Sequence, residues 1–227
     1  MALPAPAVPA HRPVQILAVI ALLGSIATLW FTQTGRPPRS NSRLHEEVGR
    51  ALAQESLKLL RPGGHLTVIT RDTSTFPQPA LDLTLDGLRK ELRQAGTAEP
   101  TVDTLQVDTL RPVQVPSGDF AEWIRRAAAG DVIVSLLGPP LLTEEQRQAL
   151  GEIKPGIVAL CAGFQPDNST LRRLSEQRLL QAAVLSRPLA SITPVKPART
   201  TGETFDELYQ RVRATDLARL PDAGVSP

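Results

Sequence analysis

The sequence predicts an α/β fold, a three-layer arrangement with a parallel sheet at its centre, preceded by one transmembrane helix. Three observations carry that expectation. Short apolar runs rich in β-branched residues recur along the chain, and Asp131–Leu137 (DVIVSLL), bounded by Gly130 and Gly138-Pro139-Pro140, is the clearest. It is too short for a helix and apolar on both faces, as a central strand covered by helices must be. Segments with helical periodicity separate these runs, so strands alternate with helices and the sheet is expected to be parallel. Finally, Val14–Phe31 (VQILAVIALLGSIATLWF) carries no charge and, with its flanks, reaches the length that crosses a bilayer.

In chain order, residues 1–13 form a Pro-rich tail and residues 14–32 the membrane helix, with Trp30 and Phe31 at an interfacial position. A cleaved signal peptide is the competing reading. The long, weakly charged start and the lack of an Ala-x-Ala site favour an uncleaved anchor. Arg12 precedes the helix while Arg36, Arg39 and Arg43 follow it, a charge count that would keep the main domain inside the cell. Residues 33–43 read as a linker and 44–188 as the α/β lobe. Its first helix runs from Leu44 to Leu60 and stops at Arg61-Pro62-Gly63-Gly64. His65–Thr70 is the first strand, leading into the polar loop Arg71-Asp72-Thr73-Ser74-Thr75. Leu81, Leu85, Leu88 and Leu92 then mark a helix ended by Gly96. Thr104–Leu110 alternates as an exposed strand would, and Ser117 or Asp119 should cap the helix that carries Phe120, Trp123, Ile124 and Ala127. Thr143 and Gln146 form a capping box, Gly156–Cys161 is a buried strand, Asn168 or Ser169 caps a helix to about Leu180, and Ala182–Ser186 closes the sheet. Residues 189–227 are a Pro-rich tail in which Thr204–Leu217 could form one amphipathic helix. Its face of Phe205, Leu208, Tyr209 and Val212 needs a surface to dock on, either its own domain or a partner, because so short a helix is marginal in water.

The residue inventory excludes more than it assigns. The 25 basic and 23 acidic residues are interspersed, which argues against nucleic acid as a partner. Cys161 is the only cysteine, so neither an internal disulfide nor a thiolate metal cluster can form. A nucleophilic cysteine needs a base, and the histidines are His11, His45 and His65, none expected beside it. Asp72 with Asp131, or Glu144 with Glu145, could be imagined as acid–base pairs. However, Asp131 enters its strand at the amino end, and the two glutamates suit a helix's first turn. The Pro62-Gly63-Gly64 turn resembles one found in methyltransferases, but the glycine-rich cofactor loop that should precede it is missing. No P-loop, metal cluster or cofactor motif occurs, and no catalytic role is expected.

Thr70–Gly96 (TRDTSTFPQPALDLTLDGLRKELRQAG) resembles the opening of the type 1 periplasmic sugar-binding proteins. Phe76-Pro77, Gly87 and Ala95-Gly96 stand at that family's turn, mid-helix glycine and helix end. Residues 120–164 continue the likeness, which spans roughly Leu44 to Pro188. The resemblance implies a flavodoxin-like single lobe on the outer, periplasmic face of the membrane. It also implies a ligand crevice formed by Arg71, Asp72, Thr73 and Ser74, with Gly138, Pro139, Cys161 and Gly163 opposite. Those proteins close two lobes on their ligand, whereas this chain shows one α/β pattern and offers Phe76 as the single aromatic of the first loop. Two functions are therefore expected. The first is a non-catalytic, single-pass accessory subunit, with other subunits of a membrane or envelope complex and the bilayer at Val14–Phe31 as partners. The second is a tethered sugar- or nucleoside-binding or sensory lobe that completes its cleft by dimerising.

Overall fold

The computed structural model describes residues 24–25, 39–74, 77–106, 115–153, 155–162, 167–187 and 201–217. The chain divides into two units, Met1–Arg39 and Ser40–Pro227. Of the expected membrane helix only Gly24 and Ser25 are described, and both are helical; the rest of Val14–Phe31 lies outside the described residues. No helix among the described residues is long and apolar enough to cross a membrane.

The second unit is built on a six-stranded sheet. Its elements are α1 (Arg39–Leu59), β1 (Leu66–Arg71), α2 (Pro79–Gln94), β2 (Thr101–Leu105), α3 (Ser117–Arg126), β3 (Val132–Ser135), α4 (Glu144–Leu150), β4 (Gly156–Cys161), α5 (Asn168–Glu176), β5 (Ala182–Ser186), α6 (Thr201–Leu208), β6 (Tyr209–Arg213) and α7 (Ala214–Leu217). The strand order is β2-β1-β3-β4-β5-β6, with the first five parallel and β6 antiparallel to β5. The parallel part thus has the 2-1-3-4-5 order of flavodoxin-like folds.

Successive strand side chains point to opposite faces, so each apolar strand feeds two cores. Leu66, Val68, Val132, Val134, Val158 and Val184 pack on one face with Leu44, Val48, Leu52, Leu88 and Leu92. Ile69, Ile133, Ile157, Ala183 and Leu185 pack on the other with Phe120, Ile124, Leu171 and Leu174. This explains why the strands read as unbroken apolar runs. On the first face, α1 crosses α2 where Gly49 and Gly87 let the backbones touch. A methyl added at Gly49 would collide with the Thr84 carbonyl and Leu88 N–H, and one at Gly87 with the Glu46 backbone.

At the amino end of the sheet, Asp131 ties two turns together. Its Oδ1 accepts from His65 N at 2.8 Å and its Oδ2 from Ala128 N at 2.7 Å. Arg61 N donates to Gly130 O at 3.0 Å, which seats the Pro62-Gly63-Gly64 turn beneath β3. That turn is structural, and Asp131 lies at the opposite end of the sheet from Asp72.

Several local expectations need correction. Neither Ser117 nor Asp119 caps α3: Pro116 holds that position without a side-chain bond, and the Ser117 hydroxyl accepts from Gln146 Nε2 at 3.1 Å. Asp167, rather than Asn168 or Ser169, caps α5, accepting from Thr170 N at 2.6 Å, and the helix ends at Glu176. A carboxylate there also meets the positive end of the helix dipole. The second strand is Thr101–Leu105, earlier than expected, while 107–110 lie outside the described residues. Thr143 and Gln146 do form the capping box, with bonds of 3.2 and 2.9 Å.

The largest difference is at the carboxyl side. Thr204–Leu217 is not one helix; it breaks into α6, β6 and α7, and β6 pairs with β5 along its length. Tyr209–Arg213 (YQRVR) alternates with period two, and β5 offers it an edge of unpaired backbone groups, so strand pairing overrides helical periodicity.

Candidate functional site

Open α/β sheets bind ligands at the carboxyl ends of their strands, where the strand order reverses. Here that point lies between β1 and β3, because β2 flanks β1 on one side and β3 on the other. Arg71 ends β1, and Asp72 N extends the ladder by donating to Leu105 O at 2.8 Å. The Asp72 carboxylate turns back to accept from Ser74 N at 2.8 Å. Hydrogen bonds from the Ser74 side chain first, then from its backbone, hold the Asp72 carboxyl below its ordinary value. Thr73 Oγ1 donates to Asp82 Oδ1 at 3.1 Å, fastening the loop to the first turn of α2.

Across the crevice, Ser135 is fully buried at the end of β3. Its hydroxyl donates to Gly138 O at 2.8 Å and accepts from Leu137 N at 3.3 Å. It thereby shapes the turn after β3 in which Gly138 takes a φ of +74°. The sequence reading passed over Ser135; a lone hydroxyl inside DVIVSLL was the available signal.

The structure thus gathers Arg71, Asp72, Thr73, Ser74 and Gly138 at neighbouring strand ends. Cys161 behaves differently. It is 2 % exposed within the core on the face opposite α1, and burial pushes its thiol up to about 12. A thiol so placed stays protonated and is no nucleophile. His45 lies on α1 and His65 at the amino end of β1, so neither can serve it. Phe76 and Gly163 lie outside the described residues. Among the described residues, no group of three or more His, Cys, Asp or Glu could hold a metal ion.

Arg71 stands apart from its neighbours. It is partly buried, and its Nε is enclosed without a hydrogen-bond partner. Arg89, Arg147 and Arg172 also have an enclosed, unbonded Nε, but Arg89 and Arg147 lie against the carboxylates of Glu99 and Glu144, and Arg172 is engaged elsewhere. Asp72, next to it in sequence, accepts from Ser74, and Asp82 accepts from Thr73.

The face of Phe205, Leu208, Tyr209 and Val212 finds most of the surface it needs within the chain. Phe205 (4 % exposed) joins the core beside α1, and Val212 (6 %) joins the opposite one. Tyr209 stacks on Phe205 at 5.7 Å, Arg211 lies 5.4 Å over the Phe205 ring, and Leu208 is partly buried. Two polar clamps complete this seal: Arg213 Nε to Glu55 Oε2 at 2.9 Å, and Arg211 Nη1 to Gln54 Oε1 at 2.8 Å. The sequence reading missed Glu55, although it interrupts the apolar stripe of Val48, Leu52 and Leu59.

No family model and no curated protein matches the chain. Solved structures similar to it include one from Mycobacterium smegmatis (14 % identity, TM-score 0.46), covering 78 % of this chain and 59 % of that one. An ABC sugar transporter subunit from Rhodobacter sphaeroides 2.4.1 is 12 % identical, with TM-score 0.42 and coverage of 72 % and 53 %. A glucose-galactose binding protein from Geobacillus stearothermophilus is 15 % identical, with TM-score 0.43 and coverage of 78 % and 61 %. The chain therefore spans about three-fifths or less of the length of each.

Proposed function

We propose that this protein is a non-catalytic accessory subunit of a membrane or envelope complex, tethered through Val14–Phe31 and presenting its α/β lobe on the outer face. One observation supports the non-catalytic reading above the others: the reactive side chains of the crevice are committed locally. Asp72 is tied to Ser74, Thr73 to Asp82 and Ser135 to Gly138, while the Cys161 thiol is buried and protonated. The uncharged length of Val14–Phe31 supports the tether. Native electrophoresis after mild detergent extraction, with mass spectrometry of co-migrating proteins, tests the proposal. A large, reproducible assembly is expected, and a lone monomer would overturn it.

A second reading, a tethered ligand-binding or sensory lobe, is favoured by Arg71 alone. It predicts that a small molecule raises the melting temperature of the full chain, because a ligand bound only by the native state stabilises it. A flat melting screen would reject it.

A further inference from the structure

We infer that the crevice between β1 and β3 takes a small ligand bearing a carboxylate or phosphate, held by Arg71; this rests on the second, ligand-binding reading. A guanidinium keeps its charge in proteins and offers donors in a fixed fork that fits a planar oxyanion. Removing such a charge from water without a partner is costly, so an Arg left half-enclosed and unpaired marks a position where an anion compensates it. Among the described residues Arg71 has neither an ion pair nor a hydrogen bond to its guanidinium, and its Nε is sealed from solvent. Asp72, beside it in sequence, accepts from Ser74 and Asp82 accepts from Thr73, and among the described residues neither forms an ion pair with Arg71. Topology adds an independent argument, since Arg71 ends the strand at which the sheet order reverses. A neutral sugar would leave that charge unmatched, whereas a sugar acid or sugar phosphate would pair with it.

The test is thermal unfolding of the full chain in mild detergent with glucose, glucuronate or glucose 6-phosphate, for the wild type and Arg71→Gln. Glucuronate or glucose 6-phosphate should raise the midpoint by about 5–10 °C at a hundredfold excess over Kd. Glucose should raise it far less, and Arg71→Gln should abolish the anion effect. Which anion acts distinguishes a carboxylate from a phosphate ligand. Without ligand, Arg71→Gln should melt at or above the wild-type temperature, since an uncompensated charge has been removed; an Arg that merely braces the fold would give a lower midpoint. Stabilisation by glucose with none by either anion would overturn the inference while leaving the ligand-binding reading intact. No response to any of the three would sink both. A clear drop in the midpoint of ligand-free Arg71→Gln would also overturn the inference.

Discussion

Glu55 is an acid placed where the helix pattern asks for an apolar residue, and its surroundings explain how it is tolerated. Only 4 % exposed, it would be raised by desolvation, but hydrogen bonds and charge from Arg213 and Lys58 outweigh burial and leave its carboxyl below the ordinary value. A depressed carboxyl stabilises the fold above its unfolded value of about 4.3, and that stabilisation is lost as pH falls through the folded value. Both cations are largely exposed, at 57 % for Arg213 and 49 % for Lys58, so solvent screens the pairs. Glu55→Gln should therefore cost only about 1–2 kcal/mol at pH 7. Urea unfolding should show that difference shrinking as pH falls below the ordinary carboxylate range and the wild-type carboxyl takes up its proton too. At Cys161, a maleimide should fail to label the native protein at pH 8 and should label it fully in urea, as expected for a buried thiol pushed up to about 12. The Thr143–Gln146 box was legible because both partners lie three residues apart in sequence. Asp167 was passed over because Asn168 and Ser169, beside it, are equally good caps on paper.

Among the elements, the α1–α2 crossing is the least tolerant of change. Gly49 and Gly87 each face backbone rather than a movable side chain. Gly49→Ala or Gly87→Ala should force the helices apart and cost about 2–4 kcal/mol, a penalty typical of overpacking a core. Chemical denaturation measures it, and a neutral result would mean that the helices do not approach as described. For β6, Val212→Asp should remove protection from amide exchange along Tyr209–Arg213, and also along β5, whose outer edge β6 covers. Four of the five parallel strands were legible because burial on both faces leaves an unbroken apolar run; β2 (TVDTL), partly exposed at the sheet's edge, starts three residues earlier than its alternation suggested. β6 was not legible: its Tyr-Gln-Arg-Val-Arg pattern is polar, and only the vacant edge of β5 gives it a strand to pair with. Gly87 was noticed in sequence, but nothing local revealed Gly49 as its counterpart, because their meeting depends on how two helices cross.

For the lobe as a whole, one sheet serves two cores, so no strand can leave one without leaving the other. Residues 40–217 should accordingly unfold in a single transition, with far-ultraviolet dichroism and amide exchange of the core strands giving the same midpoint. Fold class was legible because it follows from alternating elements, and the strand order then sets where the sheet reverses, between β1 and β3. The unpaired state of Arg71 was not, since sequence cannot show which acids are already occupied. Closure by β6 carries a kinetic consequence. Glu55 and Arg213 are separated by 158 residues, so their clamp forms only after nearly all of the intervening chain is in place. Such distant pairings come late, because loop entropy is spent before the contact returns anything. Until then β5 has an open, apolar edge that can recruit another molecule. Refolding yield should fall as protein concentration rises, and substitutions in β6 should speed unfolding while leaving the folding rate nearly unchanged.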